Sequence, residues 1–223
     1  MPEEAVKVQS DLKNRRADVA DKSKEAMIGV LGQDAYDQYL KALQGKPSAM
    51  QRQAEFGLVD AEIVAIRAYT DSHYDDLNRM LRGNKTGIDS LKANRLSIFA
   101  DTLSSGINKL PSTEGVMRRD VRLSQSMLDQ FQERIGKKVR FTAFTSSANT
   151  LRQVMDGKFN CRMELSSMHG KSIVDFSVHG RKEAEVIFDR GTEFVIKSVV
   201  QDRKKKSVTV ILLDESTEIR WWA

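Results

Sequence analysis

Cysteine is almost absent. Cys161 is the only one in 223 residues, so no internal disulfide can form, and a reducing compartment suits the chain. Histidine is nearly as scarce: His73, His169 and His179 lie far apart, which excludes the clustered Cys and His ligands of a structural zinc site. No apolar run is long enough for a bilayer, so no membrane span is expected. The glycine signatures of Rossmann dinucleotide binding and of the P-loop are missing, so any dinucleotide is held by another scheme. The opening residues, Met1-Pro-Glu-Glu-Ala-Val-Lys7, are charged and hold no apolar secretory core. If the protein is exported, the expectation is a route that does not read such a core, or a segment that has been trimmed away. There is no internal repeat and no low-complexity tract.

What is present describes a soluble globular chain, with 40% hydrophobic and 30% charged residues. The net charge of +5 favours polyanionic ligands modestly, but is too small to establish nucleic-acid binding. Residues 3–45 read as helical, with a second helix from about Gln33 to Leu43. Gln44-Gly-Lys-Pro-Ser48 reads as a break. We therefore expect a helical extension over 1–57 and the main domain over 58–223. Asp60 and Gly83 are placed to start and stop a helix, and another runs from about Asp89 to Ile107. From residue 116 the pattern turns to strands: Val116–Leu123, Lys138–Thr145, Cys161–Leu165, Ser172–Phe176, Ala184–Asp189, Glu193–Gln201 and Lys206–Asp214. A short helix, Ser124 to Ile135, interrupts them. Helices first and strands afterwards predict an α+β fold with a largely antiparallel sheet.

Glu183 and Glu185 stand one residue apart before the apolar run Val186-Ile187-Phe188. On an extended strand both would project from one face. Like charges that close are unfavourable unless a cation or substrate answers them. Two further motifs precede the pair: Arg118-Arg119 on the first strand and Phe144-Thr-Ser-Ser147 beyond it.

In the order Arg, Ser, Glu-x-Glu these motifs resemble the mono-ADP-ribosyltransferases of the R-S-E class, in particular their ExoS-like and binary-toxin-like members. The resemblance covers about residues 58–215. Tyr69, Tyr74 and Asn78 match the spacing Tyr-x4-Tyr-x3-Asn of the family's helix at the NAD pocket. Two departures stand out: Met117 occupies the position of a usual tyrosine, and Ser146-Ser147-Ala148 lacks the third hydroxyl of Ser-Thr-Ser. The resemblance implies a split, mostly antiparallel β-sandwich core preceded by helices. It implies NAD as co-substrate without a metal, and arginine on a target protein as acceptor. Catalytic roles fall to Glu185, Glu183, Ser146 and Arg118. Cofactor binding falls to Arg118, Arg119, Tyr69, Tyr74, Asn78 and Ser147. It also implies a bacterial toxin or effector acting in a target cell's cytoplasm, with a secretion chaperone or immunity protein as further partners. Two other readings stay open from sequence: a degenerate module of the same fold that binds a peptide or protein, and a nucleic-acid-modifying transferase.

Overall fold

A computed structural model describes residues 21–149, 159–180, 184–202 and 207–213. The chain divides into two compact units, residues 1–109 and 110–223. The first is helical. Helix α1 covers residues 21–31, and Gly32, at φ +86°, separates it from α2, Gln33–Gln44. Buried Tyr36 and Leu43, seven apart, give α2 its inward stripe. The expected break falls at Gly45-Lys46, and Pro47 at once opens a further helix, α3, Pro47–Phe56, with proline in its first turn. There the missing N–H costs nothing.

Asp60–Ala68 forms α4, and nearly every residue in it is buried. Its first turn is closed by Glu62, whose Oε2 accepts from Val59 N–H at 2.9 Å. The same carboxylate accepts from Ser105 Oγ at 2.6 Å and Lys109 Nζ at 2.7 Å, both on α6, Ser90–Lys109. Leu96, Phe99, Leu103 and Ile107 form the buried stripe of α6. Between α4 and α5, Tyr74–Leu81, the chain widens into one π-helical segment, Tyr69–His73. The sequence reads as one uninterrupted helix there, because a single wide turn leaves the apolar spacing on either side intact.

The second unit is a seven-stranded sheet among the described residues, ordered β1-β3-β5-β4-β7-β6-β2, with β1 also pairing β4. Its strands are β1 Ser112–Val121, β2 Lys138–Phe141, β3 Thr145–Ala148, β4 Cys161–Ser172, β5 Glu185–Phe188, β6 Thr192–Asp202 and β7 Ser207–Leu213. Only β4 and β7 pair in parallel; the other pairings are antiparallel. Helix α7, Gln125–Glu133, is capped by the Ser124 hydroxyl accepting from Met127 N–H. It buries Leu128 and Phe131 against sheet residues including Met117, Leu165, Phe194 and Leu212.

Strand β4 divides its partners. Cys161 to Ser166 pair with β7, while Lys171 and Ser172 pair with β5. The sheet therefore forks along β4, and the short pair β3/β5 occupies one branch. The strand expected over Cys161–Leu165 runs on to Ser172, and the separate strand expected over Ser172–Phe176 is not formed: beyond Ser172 the chain turns, with Phe176 and Ser177 N–H both donating to Ile173 carbonyl oxygen. Gly170, near the end of β4, is a close approach to β5: a Cβ there would meet Val186 Cγ1 at 2.6 Å. Conversely, the run read as one strand from Lys138 to Thr145 is two, β2 and β3, on opposite sides of the sheet order. Among the described residues, no helix is long and apolar enough to cross a membrane.

Candidate active site

Glu185 opens β5. It is buried at 6% exposure, and a buried carboxylate is costly unless hydrogen-bonded. Two hydroxyls supply the bonds. Ser146 donates to Oε1, and Ser177 donates to Oε2 at 2.9 Å. Bonds from a donor to an ionised acceptor are the strong kind, and two of them leave the carboxylate little rotational freedom.

The backbone is pinned as well. Ala184 carbonyl accepts from Asn149 N–H at 3.0 Å, and Glu185 carbonyl accepts from Ile173 N–H at 3.1 Å. Ala184 has φ +44° and is the one described non-glycine residue at positive φ. This conformation costs an alanine about 1–2 kcal/mol. Extended-strand alternation therefore does not cross Ala184, and the strand begins at Glu185. Glu183 itself lies outside the described residues.

The register places the other predicted residues. Ser146, Ser147 and Ala148 face Ile187, Val186 and Glu185 across β3/β5. Arg118 faces Ala148 on one side and Glu164 on the other. Directly opposed residues share a face, as do residues two apart. Arg118, Ala148, Ser146 and Glu185 therefore occupy one face over three adjacent strands. The small Ala148, where the family has a third hydroxyl, lies between Arg118 and Glu185.

Arg118 Nε donates to Glu164 Oε1 at 3.1 Å. Beside this pair, Arg162 grips Asp120 through two bonds of 2.8 Å. That contact holds the guanidinium charged even more firmly than usual. The two pairs set positive and negative charges alternately along β1 and β4.

Arg119 alternates to the face of buried Met117, and its Nη1 donates to Ser146 carbonyl oxygen at 2.6 Å. Its described contact is thus with the backbone that carries the serine. The Ser147 hydroxyl is turned inward, donating to Val186 carbonyl oxygen at 2.9 Å.

Tyr69, Tyr74 and Asn78 belong to the first unit. Tyr69 is buried, and its hydroxyl accepts from Asn78 Nδ2 at 3.0 Å. Tyr74 is half exposed and meets Tyr69 edge-on, with ring centres 6.4 Å apart. In a regular α-helix, residues nine apart would sit about half a turn around from each other. The π segment rotates the later turns and brings the three onto one side.

Sequence reasoning missed Ser177 and Glu164. Glu164 carried a signal: Cys161, Met163 and Leu165 alternate inward, so Arg162 and Glu164 must point to the other face, the one that carries Arg118 of β1. Ser177 carried none, since no motif marks a hydroxyl eight residues before the glutamate.

Residues 31–218 match the family described as ADP-ribosyltransferase exoenzyme. Over 147 residues, 65% of this chain, the sequence is 33% identical to the NAD(+)–protein-arginine ADP-ribosyltransferase Tre1 of Serratia proteamaculans (strain 568). This chain spans less than a third of the length of the curated relatives it matches. Among solved structures, it resembles Exoenzyme S from Pseudomonas aeruginosa, determined with human 14-3-3 protein beta and Carba-NAD. The TM-score is 0.65 at 18% identity, covering 89% of this chain and 90% of that one. The ADP-ribosyltransferase HopU1 of Pseudomonas syringae pv. Tomato DC3000 gives 0.64 at 21% identity, covering 82% and 97%. At those identities the likeness is one of fold, and it agrees with the α+β architecture expected from sequence. The family match covers most of the chain and includes every residue of the Arg–Ser–Glu set: the chain belongs to the ADP-ribosyltransferase exoenzyme family.

Proposed function

We propose that this chain transfers the ADP-ribosyl group of NAD to the guanidinium of an arginine on a target protein. The observation that carries this reading is the buried Glu185 carboxylate, fastened through both oxygens on the face that also bears Arg118. In the reaction the bond between nicotinamide and ribose C1′ breaks, and nicotinamide leaves as a neutral molecule with the bonding electrons. The ribose then carries oxocarbenium-like positive charge. A fixed carboxylate close to that charge stabilises the transition state more than the ground state. It also suits the ribose 2′-hydroxyl as a charge-assisted hydrogen-bond partner.

Arg118 offers a planar cation suited to a phosphate oxygen, and Glu164 holds its Nε. Ser146 orients Glu185. Arg119, through the Ser146 carbonyl, orients the orienter. Glu183 is assigned to the acceptor. A guanidinium is protonated in water and must lose a proton as its nitrogen bonds C1′; a carboxylate can hold it and take that proton. The arginine acceptor is supported by the function that the Serratia relative's name states. Tyr69, Tyr74 and Asn78 enter as NAD-side residues through their sequence pattern. The described cysteine is buried and the chain has no other, so no disulfide would be lost in the reducing cytoplasm where the reading locates the reaction.

The test uses labelled NAD with agmatine, a small guanidine, and then with a cell lysate whose labelled proteins are mapped by mass spectrometry. Modification on arginine is expected. Glu183→Gln should abolish the transfer to agmatine while nicotinamide release to water survives. Equal transfer by Glu183→Gln would remove the acceptor assignment.

A further inference from the structure

We propose that Ser177 is a second positioning residue for Glu185, setting the carboxylate from the side opposite Ser146; this rests on the transfer reading of the same site. Ser177 and Glu185 close a ring of hydrogen bonds with Ile173. Ile173 N–H donates to Glu185 carbonyl oxygen at 3.1 Å. Ile173 carbonyl accepts from Ser177 N–H at 2.9 Å. Ser177 Oγ then donates to Glu185 Oε2 at 2.9 Å. The turn after β4 therefore fixes both the backbone and the side chain of the glutamate, so its carboxylate has one rotamer set from two directions.

The direction of the last bond follows from chemistry. His179 N–H can only donate, and it donates to Ser177 Oγ at 3.2 Å. That oxygen therefore uses a lone pair for His179 and sends its one proton to the carboxylate. Ser177 is fully buried, so water cannot substitute for it. Ser146 sets Oε1 and Ser177 sets Oε2, and holding both oxygens is what electrostatic preorganisation requires.

Ser167 supplies a matched control. It is equally buried, and its Oγ accepts from His169 N–H at 2.8 Å in the same i to i+2 arrangement. Among the described residues, the titratable and charged groups on its sheet face are Arg118, Glu164 and Lys171, and those on the turn that carries Ser177 are Asp175 and His179. Lys171 donates to Leu110 carbonyl oxygen at 2.9 Å. None of them differs among the variants.

The experiment measures nicotinamide release by the full chain across pH, together with a ¹³C NMR titration of the Glu185 carboxyl, for wild type, Ser177→Ala, Ser177→Thr and Ser167→Ala. Ser177→Ala should lower kcat by about 10- to 100-fold, the scale of a lost hydrogen bond to a charged group, with KM for NAD little changed. Removing a donor to the charged form raises a carboxyl pKa. The acid limb and the NMR titration should therefore both move upward by about one pH unit. Ser177→Thr should restore both; Ser167→Ala should move neither. Should Ser177→Ala fail to fold, Ser177→Cys, a weak donor of similar shape, carries the same expectation. An unshifted Glu185 titration in Ser177→Ala overturns the proposal while leaving the transfer reading intact. A shifted titration in an enzyme that never releases nicotinamide overturns the transfer reading and keeps the Ser177 contact.

Discussion

Gly170→Ala should disable the site from a residue that takes no part in chemistry. A Cβ at Gly170 would lie 2.6 Å from Val186 Cγ1 and 3.3 Å from two ring carbons of Phe188. Carbon atoms rest about 3.5–4.0 Å apart, so roughly 1 Å must be found. Val186 and Phe188 are both essentially fully buried, which leaves no empty rotamer for either. Nor can β4 retreat, because it is paired along its length with β1 and over half of it with β7. The element that yields is β5, four residues long and joined to β4 by two residue pairs. Its first residue is Glu185.

Overpacking of this kind costs about 1–3 kcal/mol, which corresponds to a fall in Tm of roughly 5–15 °C for a unit of this size. A displacement near 1 Å at a catalytic group costs about 10²-fold in rate. Calorimetry and nicotinamide release measure the two effects. Val186→Ala alone should destabilise by about 1–3 kcal/mol through its lost methyl groups. Combined with Gly170→Ala it should do better than additive by about 1 kcal/mol or more, since the alanine then fills the space. A Gly170→Ala protein with native Tm and native rate, or a strictly additive double variant, would refute the reasoning.

Three other expectations concern stability and reactivity. Asp120→Ala strands the Arg162 guanidinium, whose side chain is 14% exposed against 8% for the aspartate. It should cost about 3–5 kcal/mol in urea unfolding, and Asp120→Asn less, because one acceptor oxygen remains. Burial holds the His73 imidazole below its usual value, with Asp71 opposing in part. Between that depressed value and the ordinary 6.5 the unfolded chain binds the proton and the folded one does not. Stability should therefore decline as pH falls below about 6.5, and His73→Gln should flatten that part of a Tm-versus-pH curve; an unchanged slope contradicts the assignment. Cys161 is buried beside Asp120, which together push its thiol up to about 12. It should resist alkylation at pH 8 in the native protein and react once the chain is unfolded in urea.

Much of this architecture was legible in the sequence because periodicity survives folding. The stripe Leu96, Phe99, Leu103, Ile107 located α6, and the run Glu193–Gln201 located β6. The errors came where one residue type has two uses. Pro47 was read as an end when it starts a helix. A boundary slipped as well: Ser172–Phe176 was read as a strand of its own when β4 ends at Ser172 and a turn follows. The site was legible as a set of residue types, Arg118, Ser146 and Glu185, but not as an arrangement. Register decides which of Arg118 and Arg119 shares a face with Glu185, and adjacent positions in sequence cannot say. The pairing of Glu183 with Glu185 was argued from strand geometry; Glu183 lies outside the described residues, and the strand itself begins at Glu185. Ser177 reaches the glutamate only through a turn that no spacing encodes.

The most direct measurement is nicotinamide release from NAD by wild type and by Glu185→Gln, with the Tm of each recorded alongside. Glutamine keeps the shape but carries no charge: its one carbonyl oxygen can accept from only one of Ser146 and Ser177, and its amide nitrogen donates to the other hydroxyl. The account predicts a loss of about 10²- to 10³-fold in rate with a Tm close to that of wild type. Equal rates from the two folded proteins would contradict it.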